Sequence, residues 1–130
     1  MIGNDGGRVG VGNLSTPSYQ LHVAGACAAT SHPTTSDERL KDIKTNISIP
    51  IEDIANAPLF LFNWKNGADS LTHVGSSAQY WQEKVPELVS EADDDIGTLS
   101  LEYEVLGTAS SISIAKEVVS LKEEIKLLQA

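Results

Sequence analysis

The sequence predicts an α+β protein, a small mixed domain with a long C-terminal helix that forms a trimeric coiled coil, preceded by a short β-rich segment. Three observations support this prediction. Apolar and polar residues alternate in parts of residues 1–35, short strand and helix patterns follow up to residue 103, and apolar residues with heptad spacing continue to the C-terminus. We therefore expect two parts, residues 1–35 and a domain of residues 36–130.

Residues 1–35 have the pattern of short strands joined by turns. They contain six of the ten glycines, and strands are predicted at residues 8–12 and 19–23 with a turn at 13–18. So few large apolar residues cannot close a core within one chain. The segment is therefore either a disordered leader or a set of strands that completes a sheet contributed by other copies, and we favour the shared sheet.

The pattern of residues 36–47 predicts an amphipathic helix. Acidic residues come first, basic residues follow, and Leu40, Ile43 and Ile47 lie on one helical face. Thr35 and Glu38 form a capping box in this interpretation, with Thr35 as the N-cap residue.

Strand and helix patterns between residues 50 and 103 complete the small mixed domain. The predicted elements are a helix at 51–57, strands at 59–64 and 73–75, a helix at 77–84 and a strand at 98–103. Turn residues and prolines separate these elements. Trp64 and Trp81 are expected to lie in the core, because large aromatic side chains are mostly buried.

The last segment, residues 103–130, predicts a long helix with an apolar seam. The seam residues are spaced four and three apart, as in the a and d positions of a coiled coil: Ile114, Val118, Leu121, Ile125 and Leu128. Isoleucine and leucine at both positions favour three or more strands over two. A single helix that packs on its own domain would have a similar pattern, so both alternatives stay open.

Charge and composition argue against several classes of partner. The net charge is −9, 17 of the 18 acidic residues follow residue 35, and no basic stripe is present, so we expect no nucleic acid partner. No apolar run reaches the roughly 18 residues of a membrane span. Cys27 is the single cysteine, and the acidic run at 91–95 lacks the spacing of a calcium loop. We therefore expect no metal, no cofactor and no membrane partner.

Ser36 and Lys41 are the clearest candidates for catalytic residues. A serine with a neutral lysine as base is a minimal nucleophile, provided that burial or nearby cations favour the neutral amine. On one continuous helix, residues five apart differ by about 140° in direction, so the two side chains could not meet. They meet only if Ser36 precedes the helix. From spacing alone, a capping role for this stretch is the simpler explanation.

The stretch Ser36-Asp37-Glu38-Arg39-Leu40-Lys41-Asp42-Ile43 resembles the opening of the peptidase S74 family. Three later stretches agree with this resemblance: His73-Val74-Gly75, Val85-Pro86-Glu87-Leu88-Val89 and Leu99-Ser100-Leu101-Glu102-Tyr103. Residues 8–23 are similar to a repeat that often precedes this domain in bacteriophage fibres. The family comprises intramolecular chaperones of autocleavage at the C-termini of phage tail spikes, tail fibres and neck appendages.

The resemblance implies a homotrimer that registers the upstream fibre segment of the same polypeptide and then releases itself. Cleavage is expected between Thr35 and Ser36, in a single turnover on the protein's own chain. Ser36 would be the nucleophile and Lys41 the base, with His73 as an additional catalytic candidate. Backbone amides at the start of the following helix are candidates for stabilising the oxyanion.

The resemblance also implies a location, the host cytoplasm during assembly and afterwards the virion tail or appendage. An alternative function belongs to a different class. A trimerisation cap or receptor-binding tip that does not cleave would need only the strands and the seam, with Ser36 as an ordinary helix cap.

Overall fold

The computed structural model describes residues 2–5, of which only the backbone is considered, and residues 7–130. Contacts divide the chain into two units. Unit 1 comprises Met1–Asn46 with Ala92–Asp95, and unit 2 comprises Ile47–Glu91 with Ile96–Ala130. The division into residues 1–35 and 36–130 stays a prediction.

Unit 1 contains a three-stranded sheet. Its strands are β1 (Ile2–Asp5), β2 (Arg8–Val11) and β3 (Leu21–Val23). Strands β1 and β2 pair antiparallel, and β2 pairs with β3 in parallel, with Gly10 opposite His22. A Cβ atom on Gly10 would lie 2.9 Å from the ring of Pro17, so the loop after β2 folds closely onto this strand only because residue 10 is glycine. The two strands predicted in this segment are confirmed at slightly shorter length.

Unit 2 is a small mixed domain that ends in a long helix, which confirms this part of the predicted fold class. Its elements are α1 (Ile51–Ala55), β4 (Phe60–Phe62), β5 (His73–Gly75), α2 (Ala78–Lys84), a 3-10 turn (Pro86–Leu88), β6 (Val89–Glu91), β7 (Leu99–Leu101) and α3 (Tyr103–Gln129). Strands β4 and β5 form one antiparallel pair, and β6 and β7 form another.

The core of unit 2 surrounds Trp81, which is 2% exposed. Its buried partners are Ile49, Val85, Leu88 and Leu106. The indole Nε1 of Trp81 donates a hydrogen bond to Ser76 Oγ at 3.1 Å, so the polar atom of this large side chain is satisfied. The prediction that Trp81 lies in the core is therefore confirmed.

Trp64 was expected in the core as well, and this expectation is wrong. Its side chain is 53% exposed. It follows the end of β4 and contacts Phe62 edge to face, with ring centroids 5.1 Å apart. The indole therefore packs on one strand at the surface instead of filling the domain interior.

Helix α3 has 27 residues and is about 40 Å long. Leu106 and Ser113 are its buried residues, and Ser113 Oγ accepts a hydrogen bond from the Ile49 backbone N–H at 2.9 Å. Every residue from 114 onward is exposed in the single chain, including the five seam residues. The predicted helix is confirmed, and its first half packs on its own domain, while the trimeric coiled coil stays a prediction. None of the described helices has the length and apolar content to cross a membrane.

The helix predicted at 36–47 is wrong. The structure has a single 3-10 turn, Glu38–Leu40, and residues 41–50 belong to neither a helix nor a strand. Asp37 is the N-cap residue, so the capping box predicted for Thr35 and Glu38 is absent from this described segment. Side chains of Asp compete for backbone N–H groups and stop helices early, and β-branched residues at 43, 45 and 47 add little helix propensity.

Candidate functional site

Ser36 and Lys41 meet across the 3-10 turn. Lys41 Nζ donates a hydrogen bond to Ser36 Oγ at 2.7 Å. Asp37, before the turn, and Lys41, after it, both have extended backbone conformations, so the chain enters and leaves the turn without continuing a helix. The condition under which the two side chains could meet, a serine that precedes any helix, is therefore fulfilled.

Asp37 organises this turn. Its Oδ1 accepts from the Arg39 backbone N–H at 3.0 Å, and its two carboxylate oxygens also bind the Arg39 guanidinium at 2.7–3.2 Å. Two backbone hydrogen bonds close the turn, from Leu40 N–H to the Asp37 carbonyl and from Lys41 N–H to the Glu38 carbonyl, each at 3.1 Å. The bonds hold the backbone that joins the serine to the lysine.

The charged residues next to Ser36 and Lys41 form ion pairs with one another. The hydrogen bonds from Arg39, first from its side chain and then from its backbone, lower the pKa of Asp37, so this carboxylate stays ionised. The same side-chain contact raises the pKa of Arg39. Asp42 pairs with Lys44. Asp37 and Asp42 thus pair with Arg39 and Lys44, while Lys41 Nζ donates to Ser36 Oγ.

Both members of the pair are exposed in the single chain. A lysine acts as a base only in its neutral form, which burial favours. The described residues of this chain do not bury Lys41, so the shielding expected for such a base is not present here. Arg39, a cation in the same turn, is paired with Asp37.

The amides expected to stabilise an oxyanion are already engaged. The predicted helix would have left its first N–H groups free. In the 3-10 turn, the N–H groups of Arg39, Leu40 and Lys41 donate to the Asp37 side chain, the Asp37 carbonyl and the Glu38 carbonyl. The expectation of free amides at a helix start is therefore wrong for these three positions.

His73 lies on β5 of unit 2 and is held by neighbours in that unit. Its Nε2 lies 3.0 Å from both carboxylate oxygens of Asp69, and its ring stacks on Phe62 with centroids 5.4 Å apart. The hydrogen bond from His73 lowers the pKa of Asp69. These contacts give His73 a structural role in the loop before β5, and its catalytic role stays a prediction.

An aromatic groove in unit 2 was not anticipated from the sequence. It has a volume of about 970 Å³, and its walls include Phe60, Phe62, Trp64, Leu99 and Tyr103. The period-two pattern Phe60-Leu61-Phe62-Asn63-Trp64 was the available signal, because alternate residues of a strand share one face. Neither Ser36 nor Lys41 lines this groove. Among the residues that the structure describes, no three metal-ligating side chains converge.

Comparison with known protein families gives a match over part of this chain. Residues 36–90 match the family Peptidase_S74, described as chaperone of endosialidase. The match begins at Ser36 and includes Lys41, His73 and the core residue Trp81. No curated protein matches the chain. The resemblance found in the sequence is confirmed over these residues.

Proposed function

Because residues 36–90 match the family Peptidase_S74, chaperone of endosialidase, we propose that this chain is an intramolecular chaperone that releases itself by autoproteolysis. It trimerises and registers a phage tail fibre, tail spike or appendage, and then cuts its own backbone between Thr35 and Ser36. The match supports a general chaperone role, and trimerisation and cleavage are the further proposed steps.

The hydrogen bond between Lys41 Nζ and Ser36 Oγ, at 2.7 Å, carries the proposal of cleavage. A general base must lie within hydrogen-bond reach of the proton that it removes, and this distance meets that requirement. A hydroxyl next to a lysine amine needs no third residue to form a nucleophile, provided that the amine is neutral.

The proposed reaction begins when neutral Lys41 takes the proton from Ser36 Oγ. The oxygen attacks the carbonyl carbon of Thr35 and forms a tetrahedral oxyanion. The bond from this carbon to the Ser36 nitrogen breaks, and the protonated Lys41 gives its proton to that nitrogen. Water then hydrolyses the resulting ester, which yields the Thr35 carboxylate and a product, residues 36–130, with Ser36 as its free N-terminus.

The fold of the N-terminal strands supports the chaperone step. Among the described residues 7–35, only Gly10 and Pro17 are buried, so strands β2 and β3 have no core of their own. Strands that complete a sheet shared between chains must pay a large ordering cost before their contacts form. A domain that joins three chains supplies register and local concentration, and its removal then blocks the reverse path.

The exposed seam on α3 supports the trimer. Its five residues are between 38% and 87% exposed in the single chain, although all are apolar. A heptad row of exposed isoleucine, leucine and valine needs partner helices to bury it. The spacing places Val118 and Ile125 in one seam position and Ile114, Leu121 and Leu128 in the other. The number of three chains is therefore proposed from the family resemblance and not from the seam residues.

The exposure of Lys41 favours a second candidate function, a trimerisation cap that does not cleave. A water-exposed lysine is a poor base, and the single chain does not shield it. This candidate retains the trimer and gives Ser36 no chemical role. Cleavage is therefore the point on which the two functions differ.

Intact-mass measurement of the purified protein tests the proposal. Wild-type protein is expected to yield the 95-residue product 36–130. Ser36→Ala removes the nucleophile and Lys41→Arg replaces the base with a group that stays protonated, so both variants are expected to stay intact. Lys44→Arg is the matched control, because Lys44 pairs with Asp42 and has no contact with Ser36. This variant is expected to cleave at the wild-type rate.

An intact wild-type chain after days of incubation would contradict cleavage and favour the cap. Cleavage of Lys41→Arg at the wild-type rate would exclude Lys41 as the base. The Ser36→Ala chain is expected to form the same trimer as wild type, because the nucleophile and the seam are different residues. A monomeric Ser36→Ala chain would contradict that separation.

A further inference from the structure

Helix α3 carries a second apolar face besides the seam. Val105, Ile112 and Val119 are spaced seven residues apart and are between 44% and 59% exposed. Ile112 lies about 160° around the helix from the seam residue Ile114 and about 120° from the buried Leu106. The row formed by these three residues, called the stripe below, therefore belongs neither to the seam nor to the contact with the chain's own core.

The strand pair β4–β5 has a matching exposed face. Leu59, Leu61 and Val74 are between 67% and 77% exposed. Leu61 and Val74 lie directly opposite each other in the pairing, and Leu59 immediately precedes β4. Phe60 and Phe62 point to the other face, where they line the groove. These three residues are called the sheet face below.

Threefold symmetry gives these two surfaces a common use. In a closed ring, each copy contacts its neighbours through two different patches, and each patch meets the other patch of the next copy. The stripe and the sheet face are two such patches on one chain. All six residues that define the stripe and the sheet face are apolar.

The height of the stripe along α3 agrees with this arrangement. Leu106 and Ser113 hold the chain's own domain against one side of the helix. Val105 and Ile112 lie in the same turns of the helix, on another side. Because copies in a threefold ring are at the same height, the domain of the next copy arrives at these turns, where the stripe is.

The seam covers only the last part of α3. It has five apolar residues, all after residue 113. Specific protein interfaces use about 20–30 residues on each side. Large exposed apolar patches outside the seam mark additional interaction surfaces. An assembly joined only at the tip of α3 would leave both patches in water.

From the proposed trimer, on which this inference rests, we infer that the sheet face of each copy packs against the stripe of the next copy. The occupant of the stripe is thus a second copy of this chain. In the closed trimer, every stripe then has a sheet face and every sheet face has a stripe. The seam and this lateral contact together join the copies.

Thiol cross-linking tests the contact. A chain with Leu61→Cys and Ile112→Cys is made in a Cys27→Ser background, because Cys27 is exposed and would react. A short bismaleimide is expected to link residue 61 of one copy to residue 112 of the next and to give covalent trimers on a denaturing gel. The matched control carries Leu61→Cys with Leu127→Cys, since Leu127 is 77% exposed on α3 but outside both the seam and the stripe, and should give no covalent trimer.

A single Ile125→Cys substitution in the seam separates failure of the contact from failure of the trimer. Covalent dimers through residue 125 without links between residues 61 and 112 would overturn the lateral contact and leave the trimer intact. Equal linkage of the residue 127 control would also overturn it. Absence of all links in a chain that sediments as a monomer would overturn both the contact and the proposed trimer.

Charge substitutions provide a second measurement. Leu61→Glu and Ile112→Glu are each expected to raise the concentration for half-dissociation of the trimer about tenfold, because each places a carboxylate in a desolvated contact. In the double variant, the concentration for half-dissociation of the trimer should rise by far less than about a hundredfold, since both changes break the same contact. Fully multiplicative effects would place the two residues in separate contacts and contradict the inference.

Discussion

The turn from Ser36 to Lys41 and the core around Trp81 are stabilised in different ways. The hydrogen bonds of the turn join residues at most five positions apart, and its residues are exposed except for the partly buried Asp37. The core depends on contacts between distant residues, such as the Ile49 N–H with Ser113 Oγ, 64 positions apart, and Tyr80 Oη with the Asp53 carbonyl, 27 positions apart.

This difference indicates that the candidate chemistry and the stability of the domain are separable. Local hydrogen bonds hold the turn, so changes there should alter cleavage while leaving the free energy of unfolding almost unchanged. Changes in the core should unfold unit 2 without touching any contact of the turn. Substitutions in each region measure how far this separation extends.

Trp81→Ala is expected to have the largest effect on stability. Removal of a buried tryptophan costs about 3–5 kcal/mol, and it also leaves Ser76 Oγ without the indole N–H. Urea unfolding measures the loss, with Trp64→Ala as the control because Trp64 is half exposed. Equal losses for the two tryptophans would contradict the assignment of the core to Trp81.

Leu121→Asp is expected to dissociate the proposed trimer at micromolar concentration. The substitution places a carboxylate in the buried seam, where it has no partner. Sedimentation equilibrium measures the change, and Leu127→Asp is the control on the same helix outside the seam. The domain should keep its thermal unfolding transition as a monomer. A trimeric Leu121→Asp chain would show that the seam does not join the copies.

Ser113→Ala is expected to have an intermediate effect. The Ile49 N–H loses its partner in a buried position, which costs about 1–3 kcal/mol. Ser111→Ala is the matched control, since its hydroxyl donates to the Gly107 carbonyl at an exposed site of the same helix. Denaturant unfolding compares the two variants. A cost no larger than that of Ser111→Ala would mean that water replaces the serine hydroxyl.

Asp37→Asn is expected to have the smallest effect on stability and a several-fold effect on the cleavage rate. The pKa of Asp37 is lowered in the folded chain, so its stabilising contribution is complete above the ordinary carboxyl range and is lost as pH falls through the lowered value. The ratio of wild-type to variant cleavage rates should therefore be constant between about pH 6 and pH 9. A ratio that varies across this range would mean that the effect of the substitution depends on a titrating group other than the Asp37 carboxylate.

The elements with clear periodicity could be predicted from the sequence. Helix α3 and the strands β4 and β5 follow from local patterns that few other structures satisfy. Local periodicity did not determine whether residues 36–47 form a helix. The spacing of Leu40 and Ile43 fits a helix, but the Asp37 carboxylate binds the Arg39 N–H and ends the structure after one turn.

The candidate site was predictable in its residues and less so in its surroundings. The spacing of Ser36 and Lys41 set the condition for their contact, and the 3-10 turn fulfils it. Their exposure and the surface position of Trp64 depend on how distant segments fold, which a local pattern does not contain. The link from Tyr103 Oη to the Ser76 backbone is of the same kind.

Helix α3 is anchored at one end only in a single copy. Tyr103 Oη binds the Ser76 backbone, Ser113 is buried, and Lys116 and Glu117 still lie beside residues 48–52. The residues from 118 onward form an exposed arm about 18 Å long. A helical arm of this length is marginally stable in water without a partner. Its amide hydrogens should exchange with solvent progressively faster toward Gln129, as in fraying termini. These terminal amides should become protected from exchange only when copies associate. Hydrogen exchange can therefore show whether assembly follows the folding of the domain.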